Sequence, residues 1–178
     1  YLHVVPALRL LGAIVALGPA TARDVFQRFD WRADAVTALP TRRARAAATQ
    51  SADFDYTQNV RTHYVRFCLG FLRTGSAGLV QAVLCADTVL PPLFDGIAAD
   101  PAPLLRELLG TVARCAVRAP AVPRRLKLRL LTPTALERLA TILGPRHRLQ
   151  HPHDHDACAR AATAFLQDCF AALAAPSD

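Results

Sequence analysis

No apolar run in these 178 residues approaches the roughly 18 needed for a helix to cross a bilayer; the longest, Leu10 to Pro19, is too short. Alternating Val/Ile/Thr runs are absent and glycine is sparse, with 8 in the chain, which argues against a fold built on sheets. The five cysteines, Cys68, Cys85, Cys115, Cys158 and Cys169, form no C-x-x-C pair. An odd count without framework spacing excludes a disulfide scaffold and predicts reduced, buried thiols in an intracellular compartment. Methionine is missing altogether, even at position 1, so the chain is expected to be a fragment of something larger. The opening Tyr1-Leu-His-Val-Val-Pro has neither a charged n-region nor a cleavage site, so no signal peptide is expected. Lysine is nearly absent: Lys127 is the single one among 21 basic residues. Phosphate-binding G-x-x-x-x-G-K-[ST], dinucleotide G-x-G-x-x-G, G-x-S-x-G and H-E-x-x-H motifs do not occur. Glu107 and Glu137 are isolated, with no paired carboxylate for acid/base work. No enzymatic activity and no cofactor are expected.

What is present reads as helix. Hydrophobic residues make up 52% of the chain, with Ala and Leu dominant. The organising stretch is Asn59 to Gly75, where Val60, Tyr64, Phe67, Cys68, Phe71 and Leu72 recur at helical spacing and fill one face. His63, Arg66, Gly70 and Arg73 fall on the opposite face, and Arg61, Val65 and Leu69 lie on a flank. An apolar surface of that width needs cover from at least two neighbours. Val60, Arg61, Tyr64, Phe67 and Phe71 are therefore expected in the structural core, with Asn59 as N-cap and Gly75 as the stop.

Before this helix, Val4 to Leu17 reads as one helix ended by Gly18-Pro19, and Thr21 to Phe29 as a second capped by Thr21. Asp34 to Leu39 adds another turn or two. Thr41 to Asp53, with Arg42, Arg43 and Arg45, reads as a basic linker, and Phe54 and Tyr56 dock back before the central helix. After it come Leu79 to Ala86, Val89 to Ala98, and a helix opened by Asp100-Pro101 that runs to Val117. Arg124 to Leu131 alternates basic and apolar residues, and a short helix is the better reading. Thr132-Pro133 opens a helix with Leu136, Leu139, Ile142 and Leu143 inward, and Ala157 to Leu173 closes the chain. Some eight helical segments in antiparallel pairs predict an all-α, irregular HEAT/armadillo-like solenoid over residues 1–178, a single helical-repeat segment; a compact bundle is the alternative.

The net charge of +7 is compatible with a polyanionic partner. Basic groups concentrate at Arg42/Arg43/Arg45, at Arg124/Arg125/Lys127/Arg129 and at Arg146/Arg148. Aromatics are not interleaved with them, so any nucleic-acid contact is expected to be with backbone phosphates, independent of sequence and sensitive to salt. Arg146 to Asp156 holds four histidines, with Cys158 just beyond. That donor set is of a kind that holds Zn²⁺. It is similar to the H-x-H-x-D-H motif of metallo-β-lactamase-type hydrolases, but the order of the last Asp and His is inverted and that fold is not all-α. An exposed polar loop without metal is the expectation.

Taken together, three stretches resemble the nucleolar pre-ribosomal-associated protein family, large helical-repeat scaffolds of early large-subunit precursors. Val4-Val-Pro-Ala-Leu-Arg-Leu-Leu with Ile14-Val15 matches the family's opening helix. Phe29-Asp-Trp31 before the Arg-rich run matches its Phe-Asp-aromatic element. Val60-Arg-Thr followed by Val65-Arg-Phe-Cys-Leu-Gly-Phe-Leu72 matches its Val-Arg-Thr helix. Asp100-Pro101, Pro123 with Lys127, and Ala164-Phe-Leu-Gln-Asp-Cys169 follow in the family's order. The chain departs in being Ala/Arg-rich, short around 41–53 and poor in Lys.

The resemblance implies a non-enzymatic nucleolar scaffold in assembly of the 60S precursor. Its implied partners are pre-ribosomal RNA, other assembly factors including a DEAD-box RNA helicase, and small nucleolar ribonucleoproteins, with no membrane. It gives Arg61 a structural role. A helical-repeat adaptor that binds only protein is the competing reading.

Overall fold

The computed structural model describes residues 3–29, Trp31 and 52–175, with side chains from residue 56 onward in the last stretch. Arg42, Arg43, Arg45, the turn expected at 34–39 and most of the 41–53 linker lie outside the described residues. Helices make up most of the described residues, with no strand among them, so the chain is all-α. It divides into two compact units, Tyr1–Leu79 and Val80–Asp178.

In the first unit, α1 (Val4–Ala16) and α2 (Pro19–Arg28) meet at Gly18, whose φ of 153° suits glycine. Gly18-Pro19 therefore both ends one helix and starts the next, with Pro19 at the first helical position where its missing N–H costs nothing. Thr21, expected as the cap, sits inside α2 and donates its hydroxyl to the Gly18 carbonyl at 2.9 Å. Both α2 and the central helix α3 (Ala52–Arg73) pack against α1. α3 begins seven residues before the expected Asn59 cap, so Tyr56 is a helical residue and not a docking loop. It stops as expected: Gly75 takes φ 72°, and the Thr74 hydroxyl donates to the Phe71 carbonyl at 2.8 Å.

The core of this unit is aromatic. Trp31 lies 5.0 Å from Phe67 and 5.3 Å from Phe71, ring centre to ring centre, and Phe26 lies 5.3 Å from Phe71. Edge-on and offset geometries of this kind add to the gain from burial alone. Val60, Arg61, Tyr64, Phe67 and Phe71 are all buried. Gly70 lets α1 come close: a Cβ there would stand 3.2 Å from Val15 Cγ1. On α1 Leu8 and Val15 are buried, while Leu10 and Leu17 are exposed.

In the second unit, α4 (Ala77–Cys85), whose first turn belongs to the preceding unit, leads to α5 (Leu90–Asp95) and a 3₁₀ turn, Ile97–Ala99. Where the sequence suggests one helix over 89–98, Gly96 divides it. α6 (Ala102–Val112) starts one residue later than the Asp-Pro signal places it and widens into a π turn, Ala113–Val117, closed by the Arg118 N–H on the Ala113 carbonyl at 2.9 Å. Then follow α7 (Arg124–Leu128), α8 (Pro133–Leu143), α9 (Pro145–Gln150) and α10 (His155–Ala174). Thr132 caps α8, its hydroxyl accepting from the Ala135 N–H at 3.1 Å.

α10 is the hub of this unit, touching α6, the π turn, α7, α8 and α9. It buries Cys158, Ala162, Phe165 and Cys169, and Phe165 meets Phe94 of α5 at 5.8 Å. α8 turns a face different from the expected one. Ala135, Arg138, Leu139 and Ile142 are buried, while Leu136 and Leu143 are exposed. The reason is an ion pair: Arg138 reaches Asp95 at the end of α5 at 3.3 Å and Glu137 at 3.4 Å, so the helix is rolled to bring a charged side chain inward. A buried guanidinium is tolerated only with such partners.

Candidate nucleic-acid interface

α7 carries the described part of the predicted phosphate-contacting set. It is one turn and a half, started by Pro123 in extended conformation, and anchored by Leu126 and Leu130, both buried. Those anchors leave Arg124 and Arg125 exposed and Lys127 half-buried. Neither Arg125 nor Lys127 makes an ion pair among the described residues. The loop that leads into it is tied to α4, whose Gln81 amide donates to the Ala121 carbonyl at 3.1 Å.

Arg129 is engaged within the chain. Its Nε donates to the Leu84 carbonyl at 3.0 Å and its Nη2 to the Cys85 carbonyl at 3.4 Å, and it pairs with the Asp87 carboxylate. These are the open carbonyls at the end of α4, so Arg129 is a C-terminal clamp supplied from a distant turn. Arg129→Ala is expected to lower stability by about 1–2 kcal/mol, the worth of charge-assisted hydrogen bonds discounted for solvent exposure. Arg125→Ala should stay within about 0.5 kcal/mol of wild type. Urea unfolding of the two variants checks this, and equal effects would remove the clamp reading.

A second set of basic groups converges in the first unit, where the sequence shows only a polar helix face. An open groove of about 620 Å³ runs between α1 and α3, with the start of α2 at its end. Arg9, His63, Arg66 and Arg73 line it, with Leu8, Gly12, Val15, Ala16, Phe67 and Gly70 beneath, and no carboxylate lines it among the described residues. Burial pushes the His63 pKa down, and the nearby Arg9 and Arg66 cations push it further, so this imidazole is neutral at pH 7. The spacing 63, 66, 70, 73 is visible in the sequence as one face. Placing Arg9 opposite it requires the packing of α1.

The histidine-rich stretch is an exposed turn, as expected, only at residues 152–154. α9 and the first turn of α10 occupy the rest, and His147 and His155 are buried. Their Nδ1 atoms are 3.1 Å apart, and the His147 ring lies 4.7 Å from that of His151. The helical spacing of His155, Cys158, Ala162, Phe165 and Cys169 is the signal that marks this burial in the sequence. Among the described residues no group of three or more His, Cys, Asp or Glu is arranged to hold a metal ion. Burial raises the Cys68 and Cys169 thiols to about 12, which keeps them protonated and poor as nucleophiles. Cys85 is exposed and Cys115 half-exposed, unlike the uniformly buried thiols expected.

Over 136 residues the chain is 30% identical to human (Homo sapiens) nucleolar pre-ribosomal-associated protein 1 and 29% identical to its mouse (Mus musculus) counterpart. The matched stretch covers 76% of this chain and 6% of either relative, so the chain spans a small part of proteins of that kind. No solved structure matches it. The family model described as ribosome 60S biogenesis N-terminal matches residues 2–173, nearly the whole sequence, and the chain belongs to that family.

Proposed function

We propose that this chain is a docking segment of a non-enzymatic scaffold that acts in the nucleolus, in early assembly of the large ribosomal subunit. The family match over residues 2–173 is the observation that carries this reading, and the relatives' names, nucleolar and pre-ribosomal-associated, support it. In this reading residues 1–178 form a single irregular HEAT/armadillo-like segment of a larger protein. Its partners are pre-ribosomal RNA, other assembly factors including a DEAD-box helicase, and small nucleolar ribonucleoproteins. The contact with RNA is to backbone phosphates through Arg124, Arg125 and Lys127, joined by Arg42, Arg43 and Arg45. The α7 turn suits this role because Leu126 and Leu130 hold it in place while Arg124 and Arg125 are exposed and Lys127 is half-exposed.

Binding of a pre-ribosomal RNA fragment measured across a salt series tests the assignment. Neutralising one phosphate-binding cation reduces the slope of log affinity against log salt by about one. The triple variant Arg124→Gln/Arg125→Gln/Lys127→Gln should therefore bind more weakly and flatten the slope by about two to three. Unchanged affinity and slope would exclude α7 as the contact. Crosslinks from the chain that reach protein alone would favour an adaptor without RNA.

A further inference from the structure

α9 is held to the second unit by one side chain. Of the residues Pro145–Gln150 only His147 is buried, and the others are exposed. The His147 Nδ1 atom lies 3.1 Å from the Nδ1 atom of His155, which is buried in the first turn of α10. Two neutral imidazoles at that distance share one hydrogen bond, so one Nδ1 donates and the other accepts. Burial decides which. His147 Nε2 is buried without a partner among the described residues, whereas His155 Nε2 is not a buried orphan. Leaving the proton off His147 Nε2 avoids burying an N–H that has no acceptor. His147 is therefore the donor, protonated at Nδ1, and His155 the acceptor, protonated at Nε2.

A further proton finds no favourable place in this pair. On His155 it would set two N–H groups against each other across the 3.1 Å gap and abolish the bond. On His147 it would occupy the buried Nε2. Neither imidazole pairs with a carboxylate among the described residues. The nearest titratable ring is another imidazole, His151, 4.7 Å from His147. Asp156 of α10 pairs instead with Arg148 of α9 at 3.5 Å, and Asp154 and Arg106 of α6 bear on the Cys158 thiol. Arg146 and His153 are exposed, and the last turn of α8, Ala140 to Leu143, carries no titratable side chain.

We propose that His147 and His155 form a proton-operated latch: while both rings are neutral their shared hydrogen bond holds α9 on α10, and a proton taken up by either ring frees α9 while α8 and α10 stay folded. The second tie, between the exposed Arg148 and Asp156, is too weak to hold the helix alone. The neighbouring helices keep anchors of their own, Leu139 and Ile142 on α8 and Ala162, Phe165 and Cys169 on α10, so the opening is local. Burial, then His151 and His155, lower the His147 pKa from its ordinary 6.5, so the latch is closed at neutral pH and opens in acid.

Amide hydrogen exchange on the whole chain, read by NMR and corrected for the intrinsic effect of pH, tests this. The His151 N–H donates to the His147 carbonyl at 2.8 Å and reports on the end of α9. Between about pH 7.5 and about pH 5 its protection is expected to fall about tenfold or more, while amides of α8 and the middle of α10 keep theirs. Protection that is lost only together with α8 and α10, or not lost at all, overturns the proposal. His155→Asn separates the latch from burial alone, because the asparagine oxygen can accept from His147 Nδ1–H in either charge state. This variant should keep α9 protected at about pH 7.5 and lose that protection about one pH unit lower than wild type. Loss at the wild-type pH would assign the opening to His147 burial and remove the pair from it. The imidazole nitrogen shifts of wild type give a readout that needs no variant. At about pH 7.5 they should place the proton of His147 on Nδ1 and that of His155 on Nε2. Nε2–H on both rings would mean that no shared bond exists, and the latch with it.

Discussion

Replacing Phe71 with alanine is expected to lower stability by about 3–5 kcal/mol. Phe71 is fully buried on α3, stacked on Trp31 at 5.3 Å and in edge contact with Phe26 at 5.3 Å and Phe67 at 5.1 Å. Truncation removes the transfer energy of the ring and leaves a void that these aromatic neighbours, each held by the others, cannot readily close. It also forfeits ring–ring geometry worth about 0.5–1.5 kcal/mol per pair. Against a typical total of about 5–15 kcal/mol, the loss would leave the first unit near its unfolding threshold. Phe29→Ala is the control. That ring is 57% exposed, and its loss should stay within about 0.5 kcal/mol. Denaturant midpoints with unchanged m-values measure both. A Phe71→Ala cost below about 1 kcal/mol would mean the aromatic cluster does not hold this unit together.

Acid is expected to destabilise the second unit, and His147 is the reason. Burial lowers its pKa in the folded chain, and the neighbouring His151 and His155 lower it further. Its Nε2 has no hydrogen-bond partner among the described residues, so the charged ring, which carries a proton on both nitrogens, would bury an unsatisfied N–H. In the unfolded chain the same imidazole titrates near its ordinary value of about 6.5. The unfolded state therefore binds more protons than the folded state below that pH, and stability depends on it. The contribution is complete above about pH 6.5. It is lost progressively as pH falls from there toward the lower folded value, at about 1.4 kcal/mol per pH unit within that window. Unfolding free energies between about pH 8 and about pH 5 should therefore decline, and His147→Leu, of similar volume and without a titratable proton, should flatten the decline. Parallel curves for wild type and variant would assign the acid sensitivity elsewhere, with His63 the next group to substitute, since its pKa is lowered as well.

The central helix is legible because its signal is long. Six apolar residues at helical spacing between Val60 and Leu72 outweigh any local ambiguity. Its start is not, because Asn59 is a good cap in isolation, yet a cap is worth only about 1 kcal/mol. The half-buried Tyr56, Thr57 and Gln58 extend the helix through tertiary contact. On α8 the discrepancy is of a different kind. Leu136 and Leu143 outrank Arg138 on any hydrophobic scale, and Arg138 is instead buried beside the carboxylates of Glu137 and of Asp95, 43 residues away.

By itself the sequence determined that this chain is helical, where most of its helices begin and end, and which family it belongs to. The helical properties follow from periods, caps and breakers within a dozen residues of one another. Tertiary structure alone decided that Arg129 clamps the end of α4, that Arg9 faces the basic side of α3, and that two histidines of an apparently polar stretch lie buried against each other. Each of these joins groups whose energies depend on distance and desolvation, and neither quantity is written in the order of residues along the chain.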